Sequence, residues 1–139
     1  MKKFLLFPLL FALVASIGCK NDDEDPTLDP EYHAHIVSPN TDAKMVGDEI
    51  HIQVDFEDHN GGTVHHINVR IYSKDDGTEI YNQPTEAHVH ATEGFYTFED
   101  DFTLNVDPHT DWILEAKVWG HEDGAHEVTE SIEFHVHPM

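Results

Sequence analysis

Three His-x-His pairs, His33/His35, His88/His90 and His135/His137, recur along a chain of 139 residues that holds thirteen histidines. Neutral imidazole is the commonest protein ligand for a transition metal. Side chains at i and i+2 of a strand point to the same side. Each pair, placed on a strand, therefore offers two imidazoles to one ion. One such pair arises easily on a polar face, whereas three in one small chain point to metal chemistry. More histidines stand beside turns: His59, His65 and His66 in one region, His121 and His126 in another.

The other donors narrow the choice of ion. The single cysteine is Cys19, and the methionines beyond Met1 are Met45 and Met139, so no thiolate or thioether cluster exists for Cu(I). Imidazole with some carboxylate suits Zn(II), Cu(II) or Ni(II). Calcium is a harder ion that wants an oxygen cage. The chain carries 28 acidic residues against 7 basic ones, a formal charge of −21. Such a surface attracts cations and repels nucleic acid and anionic headgroups. No His-Glu-x-x-His motif, Gly-rich phosphate loop or nucleophile elbow occurs, so the expectation is a binding protein and not an enzyme.

These histidines must be positioned by strands. Ile50, Ile52, Val54 and Phe56 alternate with His51, Gln53 and Asp55. The same period runs through Ile67, Val69 and Ile71, through Leu114, Ala116 and Val118, and through Ile132, Phe134 and Val136. No segment keeps a helical period. The pattern predicts strands at 32–37, 48–57, 64–73, 86–91, 95–106, 112–120 and 127–137, with a minor strand at 79–82. Turns such as Asn60-Gly61-Gly62 and Glu122-Asp123-Gly124 separate them. Seven short strands with one apolar face each predict an all-β, antiparallel β-sandwich.

In that topology the turns after the second, fourth and sixth strands share one end. His33, His35, His59, His65, His66, His88, His90, His121 and His126 should gather there, with Glu57, Asp58, Glu122 and Asp123 as added carboxylates. His135 and His137 would form a further pair on the last strand. Pairing of the first two strands should set His35 opposite His51. His65 differs from the others in sharing the parity of Ile67, a core position.

The N-terminal stretch has its own logic. Met1-Lys2-Lys3 is basic and residues 4–17 carry no charge. That run is short of the roughly 20 residues a spanning helix needs, and reads as a signal peptide over residues 1–18. Ser16-Ile17-Gly18-Cys19 resembles the lipobox of bacterial lipoproteins, which implies lipidation of Cys19. The following Lys20-Asn21-Asp22-Asp23-Glu24 resembles the acidic export signal of Bacteroidota surface lipoproteins. Residues 19–30 then read as a disordered acidic tether, and residues 31–139 as the folded domain. The implied location is the cell envelope, on the outer membrane and facing outward, with the lipid as the membrane contact.

The runs GDEIHIQVDFED, INVRIY and WILEAKVWGHEDGAHEVTESIEFHV resemble the immunoglobulin-like domains of small Bacteroidota lipoproteins, including an uncharacterised family with scattered His-x-His pairs. The resemblance implies an immunoglobulin-like fold, and a fold does not give a function. Glu133-Phe134-His135-Val136-His137 also resembles the copper-ligand strand of copper/zinc superoxide dismutases. Here that strand stands last in the sequence and only one cysteine exists, so dismutation is not expected.

The expected function is binding of a divalent transition metal, Zn(II) or Cu(II) foremost and Ni(II) next. The role would be capture, buffering or transfer to an outer-membrane transporter or other protein partner. The competing reading is an adhesion or interaction module, which would display Trp112, Trp119, Tyr72, Tyr81 or Tyr96 as aromatic platforms. The acidic surface should raise histidine pKa values and so let protons compete with the ion near neutral pH.

Overall fold

A computed structural model describes residues 28–139. The expected signal peptide, Cys19 and most of the expected tether lie outside the described residues. Nine strands follow one another: β1 (Tyr32–Ser38), β2 (Lys44–Met45), β3 (Glu49–Asp58), β4 (Val64–Ser73), β5 (Glu79–Gln83), β6 (His88–Ala91), β7 (Phe95–Thr103), β8 (Thr110–Trp119) and β9 (Val128–His137). No helix occurs among the described residues.

The strands form two sheets. One has the order β1-β3-β7, and the other has the order β2-β9-β8-β4-β5 with β6 added to β4. Pairing is antiparallel except where the two-residue β2 runs parallel to β9. Seven of the nine strands fall on predicted segments and β5 on the predicted minor strand. β2 was not anticipated, because two residues are too few to show a period.

Burial explains the sheets. Ile52, Val54 and Phe56 on β3 are fully buried, as are Ile67, Val69 and Ile71 on β4 and Leu114, Ala116 and Val118 on β8. The residues between them are less buried, so each strand turns one dry face toward the other sheet. Tyr81 on β5 reaches across and donates its hydroxyl hydrogen to Asp100 Oδ2 on β7 at 2.7 Å. Burial, then the neighbouring carboxylate, pushes the Tyr81 hydroxyl pKa well up. This contact ties the two sheets together along one side.

The turn joining β3 to β4 is closed by Asp58, the one buried charged residue among those described. Its Oδ1 accepts the backbone N–H groups of Glu31 and Asn60, both at 3.0 Å. A Cβ at residue 62 would collide with the same carboxylate, which makes glycine the residue that fits there. Asp58 Oδ1 is thus committed to the backbone.

The register corrects one expectation. His35 pairs with Asp55, and His51 pairs with Asp101 on β7. The regular register from Tyr32↔Asp58 to Ile36↔Val54 sets this pairing, and the bulge between Ile36 and Ser38 comes only after it.

The core carries the stability. Leu114→Ala, at a position with no solvent exposure, should lower unfolding free energy by roughly 3 kcal/mol. His35→Ala, on the wet face, should change it by less than about 0.5 kcal/mol. Chemical denaturation of both variants checks the contrast.

Candidate metal centre

The upper end of the sandwich, where β3 ends and β4 begins, gathers five imidazoles. His65 and His66 come from β4, His88 and His90 from β6, and His121 from the turn between β8 and β9. One nitrogen from each of His65, His88 and His90 lies within 4.8 Å of the others. The His65 ring centroid is 5.2 Å from that of His121, and the His66 ring is 5.0 Å from that of His88.

Local structure explains the convergence. β6 pairs with β4 through Val64↔Ala91 and His66↔His88, so three residue steps on β6 match two on β4. His90 absorbs the extra residue with φ +52°. A bulge of this kind re-aims a side chain beside a functional site. His65 keeps the inward parity of Ile67 but stands at the rim, where the apolar core ends. Its imidazole is therefore half-buried and caps the core.

His66 is held from two sides. Its ring stacks on Trp119 at 5.3 Å, and its Nδ1 lies 2.7 Å from the Gly120 carbonyl oxygen. A carbonyl only accepts, so Nδ1 carries the proton and Nε2 is left free. Two side-chain atoms among those described are buried without a hydrogen-bond partner: His65 Nδ1 and Trp119 Nε1. Both belong to this end. Buried polar atoms are normally paired, and an orphan calls for a ligand, a water or an ion.

The His65 pKa is lowered. Desolvation is the main cause, followed by the imidazoles of His90, His121, His66 and His88. The expected upward shift is overturned at this residue. Burial and four like neighbours outweigh the acidic surface, because each would disfavour a second positive charge.

The remaining candidates stand outside these five. His33 and His35 point outward from the three-stranded sheet, since Tyr32, Ala34 and Ile36 take the buried positions of β1. His33 stands 5.5 Å, ring to ring, from His59, and His59 Nε2 is 3.3 Å from Glu57 Oε2. These form a small pair on the outer surface. His126 lines an open pocket of about 330 Å³ together with His65, His121 and Glu122, but belongs to no three-histidine group.

His135 and His137 lie at the lower end, where β8 begins and β9 finishes. There they meet His109, which the sequence analysis left out of the candidate ligands; one nitrogen from each of the three lies within 4.8 Å of the others. The signal was present. Pairing β8 with β9 as a hairpin through Trp112↔Phe134 and Asp111↔His135 carries His109 to the position opposite His137.

Of the aromatic residues named as platforms, Trp112 and Tyr81 are buried in the core. The large exposed apolar residues among those described are Leu28, Val37, Met45, Phe95 and Met139, which come from separate segments.

As the pH falls toward 6.5, the unfolded chain takes up a proton at position 65 before the folded chain does. The stability tied to neutral His65 is therefore fully present above the unfolded value and is lost as pH falls through the folded one. In metal-free protein, NMR titration should give His65 a midpoint below the reference value of 6.5. A midpoint above it would mean that the acidic surface dominates after all.

No protein-family model and no curated protein matches this sequence. Among solved structures, the chain is similar to a CARDB domain from Pyrococcus furiosus in its solution NMR structure. The TM-score is 0.54 at 18% identity, covering 78% of this chain and 96% of that one. A crystal structure of the same domain, described as a complex with di-metal ions, gives a TM-score of 0.52 at 14% identity, covering 80% and 96%. CARDB domains are immunoglobulin-like, and the likeness establishes that this chain has an immunoglobulin-like β-sandwich fold.

Proposed function

We propose that this chain is an exported, lipid-anchored protein that binds a divalent transition metal through His65, His88 and His90, with His66 and His121 beside them. The observation that carries the reading is the buried, unpartnered Nδ1 of His65 within a cluster of five imidazoles. Nitrogens around a tetrahedral ion at ~2.0–2.1 Å lie roughly 3.3 Å apart. Small side-chain rotations would draw the three donors from within 4.8 Å to that spacing.

The donor set is all imidazole, which fits Zn(II) or Cu(II) and leaves no place for a thiolate-bound ion. Metal ligation needs neutral imidazole. The crowding and burial that lower the His65 pKa serve the same end, because they keep a proton from occupying the ligand. The acidic surface would concentrate cations around the site without ligating them.

A CARDB domain of the same fold has been crystallised with di-metal ions. That agrees with the reading and does not locate a site in this chain. A non-catalytic role in capture, buffering or transfer of the ion is the function proposed. Lipidation at Cys19 would hold the domain at the outer membrane, where a transporter is the natural recipient. Palmitate labelling of the wild type and of Cys19→Ala, followed by membrane fractionation, tests that part.

Calorimetric titration of the full chain, purified without a histidine tag, should show Zn(II) binding well below tens of micromolar. His88→Gln with His90→Asn removes two of the three donors and keeps a residue that tolerates positive φ at position 90. The pair should weaken this event by more than about 100-fold, beyond the usual cost of losing a supporting contact. Affinity in the wild type should also fall between pH 7 and pH 5 as protons displace the ion. An unchanged affinity at pH 5 would mean that carboxylates hold the ion and would overturn the histidine assignment.

A further inference from the structure

We infer that His109, His135 and His137 form a second, independent divalent-metal site at the lower end of the sandwich, with Asp111 as the residue that positions it. Eight residue steps along β8 separate Trp119 beside the upper cluster from Asp111, a span of about 27 Å at strand rise. No single ion joins the two ends. The lower site shares no residue with the upper one, so either can exist without the other.

His135 and His137 project from the same face of β9, with ring centroids 4.7 Å apart. His109 completes the group at 6.3 Å from His135 and 6.5 Å from His137. One nitrogen from each of the three lies within 4.8 Å of the others. Separate parts of the chain supply them: two from the last strand and one from the residue before β8.

Two features show how these side chains are held. The Nδ1 of His135 lies 2.7 Å from Asp111 Oδ1 on the neighbouring strand. The carboxylate accepts, so Nδ1 donates and Nε2 is left as the ligand atom. A carboxylate–histidine pair of this kind is the usual second partner of a metal-bound imidazole. It sets the tautomer, fixes the ring and raises ligand basicity. His109 has φ +63°, an unusual conformation for a non-glycine residue, and its N–H donates to the Val136 carbonyl at 2.7 Å. That bond pins the strained residue against β9, next to its two partners.

Three imidazoles leave one tetrahedral position open. The site is exposed at His109 and His137, so water or a donor from an incoming partner would fill it. The ligand class is therefore an exchangeable divalent transition ion such as Zn(II) or Cu(II), and not a permanently enclosed one.

The test is a Zn(II) titration of the full chain, purified without a histidine tag, beside variants of each end. His109→Asn, which suits the positive φ, combined with His137→Gln should abolish one binding event and leave the event that depends on His88 and His90. Asp111→Asn should weaken the same lower event by at least tenfold while leaving the denaturation midpoint unchanged. In the metal-free chain, 15N NMR should show the His135 ring as a single Nδ1–H tautomer in the wild type and as a mixture in Asp111→Asn. A purely structural aspartate would move the midpoint and not the tautomer.

The outcomes separate the two readings. A single event lost in the lower variant supports this site and overturns the upper one. A single event lost in His88→Gln/His90→Asn and untouched by the lower variant overturns this site. The absence of any event overturns both.

Discussion

The alternation of each strand between a dry face and a wet one is the constraint on which the rest depends. Two sheets enclose a core only if every strand commits one parity to it, and burial of Ile52, Val54, Phe56, Ile67, Leu114 and Phe134 enforces that commitment. A slip of one residue on β9 would expose Phe134 and Val136 and bury His135. The core thus places the histidines indirectly: they stand where apolar residues do not.

Convergence arises where the alternation ends. At the rim of the sandwich the inward position no longer faces a second sheet, and a polar residue there is half-wet. His65 occupies such a position above Ile67, and the five-imidazole cluster forms around it. At the other rim the β8–β9 register leads from Trp112↔Phe134 outward to Asp111↔His135 and then to the three lower histidines. In both places the same hydrophobic pairing that stabilises the sheet delivers donors from distant segments to one point.

Backbone strain marks the same places. The non-glycine residues with positive φ are His90, His109 and His126 among those described, and two of them belong to the three-histidine groups. Such conformations cost on the order of 1 kcal/mol or more and persist where surroundings impose them. At His90 the imposing feature is the bulge between β4 and β6, and at His109 it is the hydrogen bond to Val136. The carboxylates have a different part. Asp58 closes a turn, Asp111 orients an imidazole, and Asp101 holds His51 Nδ1 at 2.7 Å on the outer face. Each of these three carboxylates spends its Oδ1 on a hydrogen bond within the protein.

The sequence by itself determined the fold class and nearly all strand positions, because period-two burial leaves its trace in residue order. It also determined that imidazole would be the dominant donor. Grouping was another matter. Topology alone grouped His33, His35, His59 and His126 with His65; His126 does share a pocket with His65, whereas His33 and His35 face away from the core and His59 turns to Glu57. Which side of which sheet a residue faces, once strands from two sheets meet at one end, depends on register and bulges. Those are set by cross-strand packing and not by local pattern. The lower group was half visible as His135/His137, while His109 needed the β8–β9 register to be seen. The His65 pKa direction was likewise decided by tertiary structure, since total charge counts every carboxylate but a proton feels mainly the burial and the four imidazoles within a few ångströms of it.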